Sequence, residues 1–188
     1  MTSSGDNVAL IGMPAVGKST VGVLLAKRLG LGFVDTDIVI QGRERQTLQQ
    51  IIHGRGAEGF RAIERDHILA LGVQNHVIAT GGSVIYSRRA MAHLAAMATI
   101  VFLELSLREL TRRLDNLDSR GVLMAPGQSL AALFAERDPL YRKYAHLTVK
   151  CDGLSADQVK EASVTRLIAF GFQPPEASPA EHSPPRVR

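Results

Sequence analysis

The sequence predicts an α/β fold, a parallel sheet of five strands with helices on both faces. Three observations carry that prediction. Five short apolar runs alternate with helical patterns, which is how a parallel sheet with crossover helices reads. The chain has 188 residues and 20.3 kDa, a length that buries roughly 70% of its unfolded surface and needs no staples. Its composition, 45% hydrophobic and 21% charged, is that of an ordinary globular domain.

Val8–Ile11 is apolar, β-branched at both ends, and stops at Gly12 as a buried strand does. STVGVLLAKRLG from Ser19 continues a helix begun at Lys18 and closed by Gly30. GFVDTD is a short strand ending in two acids, and a helix follows from Thr47, with Gln50 spaced for a capping box. A longer helix spans 57–71. His76–Thr80 is the third strand, leading into Gly81 and Gly82; then come a helix over 88–97 and a strand over 99–105. Ser106, with Glu109 three residues on, opens the next helix. Residues 116–127 read as a long loop, which is uncommon unless it is functional or disordered. A helix over 129–144 should be bent or divided by Pro139. LTVKC is the fifth strand, and the last helix spans 155–170, opened by Ser155 and Gln158. Beyond Phe172 lie five of the eight prolines and no apolar periodicity, so 1–172 is expected to form one domain and 173–188 a disordered tail.

Charge narrows the partners. Twenty-two basic against 18 acidic side chains give +4 and a pI near 9.6. The 5% aromatics and lack of Trp argue against stacking platforms for nucleic-acid bases, so small anions are expected rather than nucleic acid. No apolar run approaches a membrane span. One cysteine, Cys151, allows no internal disulfide, and a cytoplasmic setting is expected. No long apolar pattern demands a partner, so a monomer is expected.

Gly12-Met-Pro-Ala-Val-Gly17-Lys18-Ser19 fits G-x-x-x-x-G-K-[ST] between a strand and a helix. Glycines let backbone N–H groups curl around phosphate oxygens, and the helix N-terminus adds a favourable dipole. Gly12, Ala15, Val16, Gly17, Lys18, Ser19 and Thr20 are therefore the candidate ATP-binding residues. Lys18 is expected to reach the β- and γ-phosphates and Ser19 to ligate Mg²⁺. A guanine-reading N-K-x-D is missing, and Asp118-Ser-Arg-Gly121 follows a helix rather than a strand. A small kinase acting on a small acceptor remains. Asp35 and Asp37, one strand–helix unit later, are two acids in D-x-D spacing that alternation would send to one side of a strand. One can hold metal-bound water while the other meets the acceptor hydroxyl; acids at strand ends also serve as helix caps.

These residues, with Gly59-Phe60-Arg61 and Glu64, Thr80-Gly81-Gly82, the arginine of DSRG and Arg137-Asp-Pro-Leu-Tyr141, resemble the shikimate kinase family in order and spacing from Val8 to Phe170. The resemblance implies a nucleoside-monophosphate-kinase-type sheet of order 2-3-1-4-5 with a mobile lid at about 116–127. It implies Asp35 as the acid holding Mg²⁺ through water, and Asp37 as the acid on the acceptor hydroxyl and a base. It makes Arg61 and Arg137 the grip on a substrate carboxylate, with Gly81 and Gly82 giving backbone access. Arg120 is similar to the lid arginine that reaches the transferring phosphate, and Arg113 to the one on adenine. Lys18, Asp37 and Arg120 are thus the expected catalytic residues.

Two positions depart from the family pattern. Ser83 stands where the family usually has a third glycine, and Gly121 where proline usually follows the lid arginine. Both fall where acceptor and closure are defined. The expected activity is ATP-dependent phosphorylation of shikimate. The alternatives are a member re-targeted to another hydroxy acid such as homoserine, and a nucleotide-binding regulatory protein without catalysis. Six histidines show no metal-ligand spacing, Cys151 reads as a buried hydrophobe, Arg88-Arg89 as a solvated helix start and Glu104 as a polar strand terminus.

Overall fold

The structure, a computed structural model, describes residues 7–114 and 127–175. The expected lid with Arg120 and Gly121, and nearly all of the proline-rich tail, lie outside the described residues. The described elements are β1 (Asn7–Ile11), α1 (Lys18–Leu29), β2 (Gly32–Asp35), α2 (Thr36–Glu44), α3 (Leu48–Leu69), β3 (His76–Ala79), a 3-10 turn (Val84–Tyr86), α4 (Arg88–Met97), β4 (Ala98–Glu104), α5 (Leu107–Leu114), α6 (Leu130–Tyr144), β5 (Leu147–Lys150) and α7 (Ala156–Ala169).

The strands pair in parallel in the order β2-β3-β1-β4-β5, as the sequence resemblance implied. Every residue of the central β1 is buried, which is why it reads as a continuous apolar run. Its first residue, Asn7, is the polar exception. Its amide donates to the carbonyls of Val73 and Met97 at 2.8 and 3.0 Å, and its Oδ1 accepts from the His76 N–H at 2.8 Å. The two faces follow from alternation. Leu10 faces α1, where a Cβ added at Gly22 would meet it at 3.4 Å. Its neighbour Ile11 pairs with Phe102 of β4, and Phe102 stacks on Tyr141 of α6 at 5.2 Å on the other face. Helices therefore cover both sides. Among the described residues no helix is long and apolar enough to cross a membrane.

Several elements differ from the sequence reading for identifiable reasons. The second strand stops at Asp35, and Thr36–Glu44 is a helix where a strand was expected to run through Asp37. The β-branched run Thr36, Ile38, Val39, Ile40 favours extended chain. Two tertiary features override it: the Asp35 carboxylate caps the first turn, and buried Ile40 joins Ile51 and Phe60 in a small second core. The two acids are thus a helix cap and a first-turn residue, not two positions on one strand face. The helices expected from Thr47 and from Ala57 do meet at a break, at Gly56, whose φ of 68° favours glycine. Pro139 does not divide α6. The carbonyl it deprives of a partner belongs to Ala135, which is exposed to water, while Arg137 and Tyr141 anchor the helix on the buried side. Capping boxes form at Thr47/Gln50 and Ser155/Gln158. At Ser106 the hydroxyl accepts from the Glu109 N–H, but the Glu109 carboxylate turns to Arg112 instead of closing a box.

Candidate active site

The ends of β1, β2 and β3 bring three loops to one edge of the sheet, the position where parallel α/β sheets bind ligands. The first is the glycine-rich turn. Gly12 has φ 147° and a Cβ there would sit 2.7 Å from the Leu103 carbonyl oxygen, so no other residue fits. Gly17, at φ 101°, precedes α1 without a side-chain cap, which leaves the helix's first N–H groups for an anion. Ala15 also holds positive φ, 62°, an uncommon conformation for a residue with a Cβ. The Lys18 ammonium folds back over the loop and donates to the carbonyls of Gly12 and Met13 at 2.8 and 2.9 Å. Burial pushes its pKa down to about 8, against the pull of Asp37 and Asp35. Ser19 and Thr20 are exposed in the first turn, Val16 is buried, and the Val16 carbonyl accepts from Arg113 Nη1 at 3.0 Å. Arg113 is thereby fixed to the phosphate loop.

The second loop carries the acids. Asp35 Oδ1 accepts from the N–H groups of Asp37 and Ile38 at 3.0 and 3.4 Å, and its Oδ2 accepts from the Ser19 hydroxyl at 2.6 Å. A hydroxyl and a carboxylate side by side suit a hard cation such as Mg²⁺, which binds through one or two protein oxygens and takes the rest from phosphates and water. Among the described residues no cluster of three or more His, Cys, Asp or Glu forms. Asp37 points the other way. Its Oδ1 is buried with no hydrogen-bond partner among the described residues, and burial, then the charge of Asp35, raise its pKa.

The third loop forms a small cleft lined by Asp37, Glu64, Gly81, Gly82, Ser83 and Arg137, with Pro14, Leu48, Ile52 and Phe60 as its apolar wall. The Gly81 N–H donates to Thr36 Oγ1 at 3.2 Å. A Cβ on Gly81 would lie 2.1 Å from Glu64 Oε1 and 2.9 Å from Asp37 Oδ1, and one on Gly82 would lie 3.1 Å from Arg137 Nη1. Arg137 is 1% exposed; its Nε donates to the Tyr86 hydroxyl at 3.1 Å. Arg61 lines an adjoining groove that shares Glu64 and Ser83 with the cleft. Its guanidinium stacks 4.1 Å from the centre of the Tyr86 ring, and that of Arg137 lies 5.4 Å from it. Tyr86 thus holds the two cations near one another, and Arg61 Nε is buried with no partner among the described residues. The Tyr141 hydroxyl donates to the Gly82 carbonyl at 2.6 Å.

Of the residues singled out in the sequence, Gly12 to Thr20, Asp35, Asp37, Gly81, Gly82 and Arg137 meet at this edge, Arg61 lies beside it, and Arg120 is outside the described residues. Tyr86 and the bond from Ser83 Oγ to Glu64 Oε2, at 2.6 Å, were not foreseen; a lone Tyr in a run of apolar residues carries no distinguishing signal. The surface ion cluster near Arg137 forms on Arg142 instead, which binds Asp138 at 2.7 Å and Glu104 at 2.6 Å. Glu104 is thereby a tied-down strand terminus. Cys151 is buried, its thiol pushed up to about 12 by burial.

The family model for shikimate kinase matches residues 14–168. The shikimate kinase of Paracidovorax citrulli is 35% identical over 175 residues, covering 90% of this chain and 96% of its own. Among solved structures, a shikimate kinase from Acinetobacter baumannii in complex with shikimate superposes with a TM-score of 0.82 at 28% identity, covering 92% of this chain and 97% of its own. The enzyme from Aquifex aeolicus gives 0.71 at 31% identity, covering 88% and 99%. With the family model matching most of its length and a relative 35% identical over 90% of it, the chain belongs to the shikimate kinase family.

Proposed function

We propose that this chain transfers the γ-phosphoryl group of ATP to a hydroxyl of shikimate, giving ADP and shikimate 3-phosphate. The observation that carries the reading is a complementary set of buried atoms beside the phosphate loop that have no partner among the described residues: acceptor oxygens on Asp37 and Glu64, and a donor nitrogen on Arg61. Buried polar atoms are normally paired. A ligand bearing both hydroxyls and a carboxylate supplies the missing partners.

The roles follow from that fit. Lys18 exchanges its two carbonyl partners for phosphate oxygens, and the uncapped start of α1 receives the same anion. The Ser19 hydroxyl, and Asp35 through water, would hold Mg²⁺, which would supply neutralisation of phosphate charge. The hydroxyl proton passes to Asp37, whose burial-raised pKa suits a base; the hydroxyl oxygen bonds to the γ-phosphorus as that atom's bond to the bridging oxygen breaks, and ADP leaves. Arg137 and Arg61 grip the carboxylate with planar forks, which lysine cannot reproduce. Gly81 and Gly82 let the acceptor approach the backbone. Arg120, by resemblance, stabilises the transferring phosphoryl group, and Arg113 packs against the nucleotide. One chain supplies all of these groups, so a monomer suffices, and a cytoplasmic setting with ATP at hand goes with the reading.

A coupled ADP-release assay with Mg-ATP and shikimate, L-homoserine or no acceptor tests it. Turnover dependent on shikimate is expected. Turnover with homoserine alone means a remodelled acceptor site, and tight ATP binding with no acceptor-dependent turnover means a regulatory protein; either result overturns the proposal.

A further inference from the structure

Glu64 is 2% exposed and Ser83 4%, and neither belongs to the phosphate-transfer machinery. Ser83 Oγ donates to Glu64 Oε2 at 2.6 Å. That bond fixes the carboxylate's last rotation, so Oε1 has only one direction left. It lies against Gly81, 2.1 Å from the point where a side chain there would begin, and Asp37 Oδ1 lies 2.9 Å from the same point. Both oxygens are buried and have no partner among the described residues. Two bare acceptors therefore face one space, and one of them is aimed by a serine.

We propose that Ser83 is a positioning residue for acceptor recognition, aiming Glu64 Oε1 at a substrate hydroxyl next to the one that is phosphorylated. The inference deepens the reading of the cleft as a hydroxy-acid site and rests on it. Asp37 takes the reacting hydroxyl, Glu64 its neighbour and the arginines the carboxylate, so the cleft selects a carboxylate bearing at least two adjacent hydroxyls over a mono-hydroxy acid. The charged groups around Glu64 are Asp37 from α2, Lys18 from α1, Arg61 from its own helix and Arg137 from α6. Burial pushes Glu64 up to about 7, and the Ser83 bond pulls it back down. Without that bond the carboxylate protonates at higher pH and loses its acceptor oxygen earlier.

The test compares wild type with Ser83→Ala, Ser83→Gly and Ser83→Thr, using shikimate and two deoxy analogues, each lacking one hydroxyl that is not phosphorylated. Ala and Gly should raise the shikimate KM about tenfold, the worth of one hydrogen bond, with kcat and the ATP KM nearly unchanged. Thr, which keeps the hydroxyl, should restore it. The penalty should vanish on the analogue missing the hydroxyl that Glu64 receives. As pH falls, the rise of the shikimate KM should begin at higher pH in the Ala variant than in wild type. A wild-type KM in Ser83→Ala, or an equal penalty on all three acceptors, overturns the inference. If wild type itself ignores shikimate, the parent reading falls and this one with it.

Discussion

Replacing Gly81 with alanine puts a methyl group 2.1 Å from Glu64 Oε1 and 2.9 Å from Asp37 Oδ1, far inside the ~3.5 Å at which such atoms rest. Glu64 is the group that must yield, by on the order of 1 Å, and it is buried with Oε2 tied to Ser83. Overpacking costs about 1–3 kcal/mol, and a lost hydrogen bond to a charged group costs a similar amount. The terms overlap, so a destabilisation of about 3 kcal/mol is expected, or a Tm lower by roughly 6–12 °C for a chain of this size. The shikimate KM should rise as well, because both bare acceptor oxygens are displaced. Two further variants calibrate the effect. Gly82→Ala meets Arg137 Nη1 and Pro14 Cδ at 3.1 and 3.2 Å, a softer contact, and should cost about 1 kcal/mol. Gly42→Ala lies in α2 with nothing within 4 Å and should gain about 0.5–1 kcal/mol. Urea denaturation with steady-state kinetics reads all three. Gly81→Ala as stable as wild type, or any order other than 42, 82, 81, refutes the reasoning.

Three other substitutions separate roles that share a residue. Asp35→Asn keeps an N-cap for α2 and should retain the wild-type Tm while raising the Mg²⁺ needed for half-maximal rate about tenfold; Asp35→Ala should lose about 1 kcal/mol in addition. Arg137→Lys removes the fork and the bond to Tyr86; the shikimate KM should rise by about 30-fold, roughly 2 kcal/mol, with the ATP KM nearly unchanged. Glu64 has a folded-state pKa of about 7 against 4.5 for the free group, so the folded protein binds more protons between those values. Its contribution to stability is therefore fully present below about pH 4.5 and lost as pH rises through about 7. Glu64→Gln should lack that slope, and its urea-derived stability relative to wild type should increase by about 3 kcal/mol from about pH 4 to about pH 9.

How far the sequence reaches into this site depends on which physical signal each part carries. The phosphate loop is legible because its glycines, lysine and serine are fixed by backbone conformation and phosphate geometry in one contiguous stretch. Strands β1 and β4 are legible because burial on both faces writes an unbroken apolar run. Helix α2 is not, since its β-branched residues favour extended chain and only the Asp35 cap and the distant Ile51 and Phe60 reverse the preference. The acceptor cleft sits between these cases. Arg137 looks like one charge in a surface cluster, and its 1% exposure depends on Tyr86 arriving from elsewhere in the chain. Ser83 is visible as an unusual residue, but its bond to Glu64, nineteen positions earlier, exists only once α3 packs beside the third strand's loop.

The buried atoms of Asp37, Glu64 and Arg61 that have no partner among the described residues are proposed to receive a hydroxy acid that takes phosphate from ATP. Phosphorus NMR of the enzyme with Mg-ATP and shikimate tests it most directly. A single new phosphomonoester resonance, growing in equal amount with ADP and missing when shikimate is left out, is the predicted result. ADP appearing with inorganic phosphate and no new monoester would contradict it.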